Sequence, residues 1–253
     1  MINADTLVSG CSHSESSGFN QSNIDLLYVN ILKKKTNWVI DNIAIGGMSN
    51  NEIFFRTLEY CATHRPKRCI VQWSSLHRLW LYERENNVDD FAIIMPRVTG
   101  FLSDKTAANQ LEKIIVSQFC NDYVEVKHLL LKMIALQNFF KHNQIDYLFV
   151  NGFQNFITDI HNLSKIEITS LADIILPAEI KRMLNFDNNP DYYIINKLNI
   201  LTDLYKQLDQ SSCLDFGNFY FGSEALDLAD DNKHWGKKCN QLWANRILKH
   251  FNV

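Results

Sequence analysis

The chain has no apolar run that approaches the roughly 18 residues a membrane-spanning helix needs. Its first six residues lack the basic segment followed by an apolar one that marks a secretory signal. Lysine and arginine (25) nearly balance aspartate and glutamate (28), which gives a formal net charge of -3, and no basic stretch exceeds Lys33-Lys34-Lys35. We therefore expect neither a membrane span nor a nucleic-acid partner.

Cysteine pairs of the Cys-x-x-Cys kind are also missing. The six cysteines are scattered along 253 residues, which favours reduced thiols over a disulfide framework or a zinc site. This cysteine usage predicts a cytoplasmic protein. Only four prolines and nine glycines occur, with no low-complexity linker and no internal repeat, so we expect a single domain over residues 1–253.

Short apolar or β-branched runs alternate with longer amphipathic ones, which predicts a parallel α/β sheet with helices on both faces. The predicted strands are 6–9, 38–44, 69–73, 147–150 and 213–216. The predicted helices are 24–34, 51–64, 107–119, 123–143, 170–184, 192–207 and 235–251. The stretch of about 82–143 is too long for a simple crossover helix, so it predicts a helical insertion after the third strand that forms a lid or an oligomer contact.

A serine, Ser12, follows the first predicted strand. Ligands of an open parallel sheet bind beyond the carboxyl ends of its strands, which is where this residue is expected to lie. A serine at a helix N-terminus also has its own backbone N–H free to point at a developing oxyanion. The alternative is that Ser12 or Ser14 only caps a helix.

Two further polar segments follow the second and third predicted strands. Gly46-Gly47 permits a positive φ and a close backbone approach to a ligand, as an oxyanion hole requires, or it forms a bare turn before a helix cap. After the third strand, Ser74-Ser75 supplies hydroxyl groups. Arg78 either binds an anionic or sugar part of a substrate or pairs with a carboxylate.

Asp231 and His234 stand three residues apart, just before the last predicted helix. That spacing allows the carboxylate to bond one ring nitrogen of the histidine and leave the other facing outward. Asp230 could cap the helix or substitute for Asp231. A lone Asp-x-x-His arises by chance in many chains, but a serine, an imidazole and a carboxylate are together the groups that nucleophilic acyl transfer needs.

With these segments in this order, the chain resembles the SGNH (GDSL-type) hydrolase family over almost its whole length. Gly10-Cys11-Ser12 matches the family's Gly-Asp-Ser in its bacterial and phage-like Gly-Cys-Ser variant, Gly47 matches the second-block glycine, and Asp231-x-x-His234 matches the last block. The tail from Trp235 also looks like the family's closing helix. The resemblance implies a flavodoxin-like three-layer α/β/α sandwich with strand order 2-1-3-4-5, and ester hydrolysis without a metal or other cofactor.

By that likeness Ser12 is the nucleophile, His234 is the general base and acid, and Asp231 orients His234. The N–H groups of Ser12 and Gly47 then line the oxyanion hole. The adjacent thiol of Cys11 points in a different direction from Ser12, so we expect it not to be the nucleophile.

The third block departs from the family, which has Gly-x-Asn-Asp there with an asparagine that donates to the oxyanion. This chain has Trp73-Ser74-Ser75-Leu76 at the matching place. Either Ser75 or Ser74 takes over the donation, or Asn50 reaches in, or the hole has two donors only.

These observations predict a serine esterase or O-deacetylase that cleaves a small-molecule or glycan ester through an acyl-enzyme. Trp73, Trp80 and Trp235 near the site suit a sugar ring or a small acyl chain, so an acetylated carbohydrate is the expected substrate, with Trp73, Arg78 and Trp235 as substrate-binding residues. One alternative is an acyltransferase with the same triad. Another is a binding protein that keeps the fold with a degraded site, which the missing asparagine would favour.

Overall fold

The computed structural model describes residues 4–16, 18–76, 78–85, 88–94, 121–152, 155–172, 174–214, 227–229 and 234–253; for residues 79–85, 88–94, 155, 156, 158 and 179 it describes the backbone only. Within these residues, five strands form one sheet in which all neighbours are parallel. They are β1 (Thr6–Ser9), β2 (Ile40–Asn42), β3 (Arg68–Trp73), β6 (Asp146–Asn151) and β7 (Cys213–Leu214). A separate antiparallel pair consists of β4 (Leu79–Glu85) and β5 (Val88–Ile94).

The spatial order of the sheet is β2-β1-β3-β6-β7. Counted along the chain without the antiparallel pair, this is the order 2-1-3-4-5. The predicted fold class and strand order are therefore confirmed. The order reverses direction at β1, which places the loop after β1 at a point where open parallel sheets bind ligands.

The helices are α1 (Tyr28–Lys35), α2 (Asn50–His64), α3 (Asp122–His142), α4 (Asn155–Leu163), α5 (Ala178–Leu184), α6 (Asp191–Lys206) and α7 (Lys237–His250). Short 3-10 turns occupy Ile24–Leu26, Phe186–Asn188 and Gln210–Ser212. Among the residues whose structure is described, no helix combines the length and the apolar character needed to cross a membrane.

Alternate residues of the central strands face two separate hydrophobic clusters. Leu7, Val71 and Phe149 lie in a cluster with residues of α2 to α6, whereas Val8 and Leu148 lie in a second cluster with residues of α1 and α7. Successive side chains of a strand point to opposite faces of the sheet, so each strand supplies both clusters. The result is the predicted three-layer sandwich.

No element was predicted for the start of the insertion after the third sheet strand, and the structure has two strands there. The first part of the insertion is the hairpin of β4 and β5, whose strands pair from Leu79 opposite Ile94 to Glu85 opposite Val88. The apolar and aromatic residues of 79–94 suit an extended pair, and two residues between the strands are a common hairpin connection. The predicted helix 107–119 and the end of the predicted strand 213–216 lie outside the described residues. Helix α4 was not predicted, and helix α5 begins later than predicted.

Replacing Leu148 with alanine should lower the free energy of unfolding by about 2–5 kcal/mol, because the side chain is 0% exposed in the middle of the sheet. Leu131→Ala on α3 is the matched control. That leucine is 43% exposed, and its loss should cost less than about 0.5 kcal/mol. Urea unfolding of both variants measures the difference. Equal destabilisation would contradict the assignment of Leu148 to a buried layer.

Candidate active site

The loop after β1 makes one tight turn that begins at Cys11. The backbone N–H groups of Ser14 and Glu15 both donate to the Cys11 carbonyl, at 2.9 and 3.1 Å. Ser12 is the second residue of this turn and is 7% exposed. The first N–H groups of a helical turn find no acceptor within the turn itself, which gives the Ser12 end of this segment the donor character of a helix N-terminus.

The loop after β2 lies against this turn and leads into α2. The Ile45 N–H donates to the Gly10 carbonyl at 3.3 Å. Gly47 has a φ of 86°, a backbone conformation that side-chain-bearing residues rarely adopt. Ser49 then caps α2, since its hydroxyl accepts from the N–H of Glu52 at 3.2 Å. The glycine and the cap together set the direction of the backbone just before the helix.

The loop after β3 is joined to α2 through the buried side chain of Asn50. The Ser74 N–H donates to Asn50 Oδ1 at 2.7 Å, and Asn50 Nδ2 donates to the carbonyls of Ser74 and Ser75 at 3.0 and 3.4 Å. Arg78 adds a second link, because its guanidinium donates to the Met48 carbonyl at 3.4 Å. The second and third loops therefore form one connected wall.

His234 lies at the same edge, at the start of the segment that leads into α7. Its carbonyl accepts from the Ala229 N–H at 2.8 Å, and Trp235 forms an antiparallel bridge with Leu228. Asp227 fixes the start of α7, since its two carboxylate oxygens accept the N–H groups of Lys238 and Cys239 at 2.8 and 3.0 Å. These N–H groups belong to the first turn of the helix, where acceptors within the helix are missing.

Burial raises the pKa of the Asp227 carboxyl, but the donations from Lys238 and Cys239 outweigh that effect, and the net pKa lies below its ordinary value. The aspartate is thus held ionised at the positive end of α7.

The serine turn and the histidine segment meet at a pair of imidazoles. The ring of His13, the residue next to Ser12, lies 5.0 Å from the ring of His234 and 4.3 Å from the ring of Trp235, centre to centre. His13 is 4% exposed. The structure therefore brings the loop that carries Ser12 and the segment that carries His234 into contact, although 222 positions separate the two residues in the sequence.

The other predicted site residues have different surroundings. Asp231 lies outside the described residues, and its predicted role stays a prediction. The amide of Asn50 forms hydrogen bonds with the loop after β3, so its described contacts connect the start of α2 to that loop. Ser75 and Arg78 are half-buried at the edge of that wall. Their roles toward an oxyanion or a substrate stay predictions.

Two tryptophans require a correction. Trp73 is 0% exposed and packs against Phe149 in the core, with 5.8 Å between the ring centres. Trp235 is 2% exposed and stacks on Trp243 at 4.7 Å. A substrate cannot lie on a ring that has no exposed face, so the predicted substrate contacts of Trp73 and Trp235 are wrong for this structure. The ring of Trp235 instead packs against the ring of His13. The side chain of Trp80 lies outside the described residues.

The sequence reasoning missed a buried glutamine, Gln72 on β3. Its Oε1 accepts from the Cys11 N–H at 3.3 Å and from the Ser14 hydroxyl at 2.9 Å. Its Nε2 donates to the Trp73 carbonyl at 3.0 Å and to the Cys11 sulfur at 3.2 Å. Glutamine is seldom wholly buried, and here it lies in the central strand of a parallel sheet. The sequence signal for it is a polar residue within the third predicted strand, directly before Trp73-Ser74.

Two more buried residues continue from this glutamine. Tyr28 shares a 2.7 Å hydrogen bond with the Ser14 hydroxyl, and its own N–H donates to Asn240 Oδ1 at 2.9 Å. Asn240 Nδ2 donates to the carbonyls of Trp235 and Gly236, both at 2.9 Å. Burial raises the pKa of the Tyr28 phenol far above its usual range, although the hydrogen bond with Ser14 acts the other way, so the hydroxyl stays protonated.

No group of three or more His, Cys, Asp or Glu side chains within the described ranges is arranged to hold a metal ion.

No protein-family model matches the chain, and no curated protein matches it. Among solved structures, it is similar to the psychrotrophic esterase EstA from Pseudoalteromonas sp., with 13% identity and a TM-score of 0.47 over 98% of this chain and 96% of that one. A second is Axe2, an acetyl xylan esterase from Geobacillus stearothermophilus, at 12% identity and a TM-score of 0.45 over 98% and 94%. A third is a putative GDSL-like lipase from Parabacteroides merdae, at 13% and 0.43 over 98% and 95%.

Identities and TM-scores this low assign neither a family nor an activity to the chain. The sheet order and the two hydrophobic clusters on either face of the sheet establish the fold. The contacts among the loops at the carboxyl edge of the sheet define the candidate site.

Replacing Asp227 with alanine should lower the free energy of unfolding by about 1 kcal/mol near neutral pH, because two first-turn N–H groups of α7 lose their acceptor. The folded-state pKa of Asp227 is lowered. Its stabilisation is therefore present above the unfolded-state pKa of about 4 and is lost as the pH falls through the folded-state value. Urea unfolding of wild type and variant from pH 7 to pH 3 should show the two converging.

Asp203→Ala on α6 is the control, since that carboxylate is exposed and forms a 3.7 Å ion pair with Lys206. A stability difference for Asp227→Ala that persists unchanged in acid would contradict the capping role.

Proposed function

We propose that the protein is a serine esterase of the SGNH (GDSL) type that cleaves small carboxylic esters. The observation that carries the proposal is the meeting of the Ser12 turn and the His234 segment at the carboxyl edge of the 2-1-3-4-5 sheet, where the rings of His13 and His234 lie 5.0 Å apart. A hydroxyl on a tight turn with a histidine beside it is the arrangement that nucleophilic acyl transfer uses.

In the proposed reaction, His234 removes the proton of the Ser12 hydroxyl as its oxygen attacks the ester carbonyl carbon. The N–H groups of Ser12 and Gly47 hold the oxyanion that forms. The intermediate collapses to an acyl-enzyme, and the alcohol leaves with the proton from His234. Water then attacks the acyl carbon and gives its proton to His234. His234 returns this proton to the Ser12 oxygen as the bond to the acyl carbon breaks and the acid is released. In this proposal, the Asp231 carboxylate orients the imidazole ring of His234.

The low solvent exposure of the residues at the site supports a small acyl group. Ser12 exposes 7% of its surface and His13 exposes 4%, so an acetyl-sized group can reach the hydroxyl more easily than a bulky one. Because Trp73 and Trp235 are buried, they no longer favour a sugar as the alcohol part. The proposal is therefore restricted to short-chain esters. A cytoplasmic location remains part of it, supported by the free thiols of Cys11, Cys61, Cys69, Cys213 and Cys239.

Ser12→Ala should reduce kcat for p-nitrophenyl acetate by about 10⁴–10⁶-fold, because removal of the nucleophile of a triad leaves only binding and oxyanion contacts. Steady-state kinetics with the purified protein measures the change, and circular dichroism confirms the fold. Ser16→Ala is the control in the same loop and should keep kcat near the wild-type value. Turnover by Ser12→Ala equal to that of the wild type would rule out Ser12 as the nucleophile.

A further inference from the structure

Gln72 occupies a space that two glycines leave for it. Gly10 lies beside it at the end of β1, where an added Cβ would stand 2.9 Å from the Gln72 Cβ and 2.9 Å from the Ser14 hydroxyl oxygen. Gly152 lies on its other side after β6, where an added Cβ would collide with Gln72 Nε2 and the Trp73 carbonyl. Gly10, Gln72 and Gly152 thus fit together near the carboxyl ends of three neighbouring strands.

The orientation of the Gln72 amide is fixed by its partners. The Cys11 N–H can act only as a donor and the Trp73 carbonyl only as an acceptor. Oε1 therefore accepts from the serine turn, and Nε2 donates to the Trp73 carbonyl and to the Cys11 sulfur. The Ser14 hydroxyl gives its one hydrogen to Oε1, which leaves Tyr28 as the donor to the Ser14 oxygen. The hydrogen bonds therefore run in one direction, from Tyr28 to Ser14 to Gln72.

These bonds hold Ser12 from both sides. Gln72 binds Cys11, the residue before Ser12, and Ser14, two residues after it, through a single oxygen atom. The carbonyl of Ser14 is held separately by Asn42 Nδ2 at 2.7 Å. The position of the Ser12 backbone thus depends on a side chain that is buried and does not touch the solvent-facing site.

The same connections reach the histidine. Tyr28 bonds Ser14 with its hydroxyl and Asn240 with its backbone N–H, and Asn240 binds the carbonyls of Trp235 and Gly236, directly after His234. Gln72, Tyr28 and Asn240 therefore join the serine turn to the histidine segment beneath the site. This is a second connection between the two segments, in addition to the contacts of the His13 ring with the rings of His234 and Trp235.

We infer that Gln72 is a positioning residue for the proposed esterase, one that sets Ser12 and its N–H toward His234 and the oxyanion. The inference rests on the proposed function. Without the amide, the Cys11 N–H and the Ser14 hydroxyl lose a buried acceptor, and the turn must shift to find another. Displacement of a reacting group by about 1 Å can cost roughly 10²-fold in rate. Binding of the ester should change little, because Gln72 does not reach it.

The test compares Gln72→Met with Gln137→Met. Methionine keeps the length of glutamine but removes both polar ends. Gln137 is a matched control because it is also buried and also bridges backbone groups, donating to the Gln207 carbonyl at 2.9 Å and accepting from the Asp209 N–H at 2.6 Å, far from the serine turn. Kinetics with p-nitrophenyl acetate should show kcat of Gln72→Met reduced roughly 10²-fold at nearly unchanged KM, with Gln137→Met close to wild type.

Hydrogen–deuterium exchange of the peptide covering residues 10–16 gives a readout that does not depend on activity. It should accelerate in Gln72→Met and not in Gln137→Met. Wild-type kcat and wild-type exchange in Gln72→Met would overturn the positioning role of Gln72 but leave the proposed function intact. A wild-type protein that lacks Ser12-dependent hydrolysis would overturn the proposed function, and the positioning role would fall with it.

Should Gln72→Met fail to fold, Ser14→Ala tests the same connection with a smaller change. It removes the hydroxyl that links Gln72 to Tyr28 and leaves the Cys11 N–H bond in place. We expect a loss in kcat of roughly 10-fold, smaller than the 10²-fold of a full displacement, with KM retained. An unchanged kcat in this variant would contradict the inference.

Discussion

The amide of Gln72 has no access to water, so every hydrogen bond it can make must come from the protein. Its partners are the two residues that bracket the serine turn and the backbone of its own strand. This requirement fixes the turn after β1 against β3, and the glycines on either side exist at these positions because no larger residue fits beside the amide. The position of the serine turn in the candidate site follows from that one buried group.

The parallel sheet could be predicted from the sequence because its central strands are buried on both faces. The strand order was implied only by the resemblance to the SGNH family. Strands such as β1 and β3 are short and apolar, and the helices between them repeat apolar residues at helical spacing, so local patterns carry the signal. The loops that follow parallel strands meet at one edge, so the sequence alone predicts that Ser12, Gly47 and the Ser74-Ser75 segment lie at the same edge of the sheet.

What the sequence could not supply depends on contacts between distant residues. The link from Gln72 through Tyr28 to Asn240 joins three separate elements, and nothing in the composition of any of them indicates it. The sequence does not reveal that Trp73 and Trp235 are buried, because the exposure of a side chain is set by tertiary packing. That packing hides both rings from a substrate. No strand or helix was predicted for the hairpin of β4 and β5, although Asn86-Asn87 between two apolar runs is a turn signal in the sequence.

Covalent labelling with a fluorophosphonate, followed by mass mapping of the peptide that spans residues 10–16, tests the central claim most directly. Ser12 and Cys11 are adjacent nucleophiles in principle, but the Cys11 thiol is buried against Gln72, and Ser12 lies on the turn that meets the His234 segment. The account predicts a single adduct on Ser12 that disappears in Ser12→Ala. An adduct on Cys11, or no adduct on the wild-type protein, would contradict it.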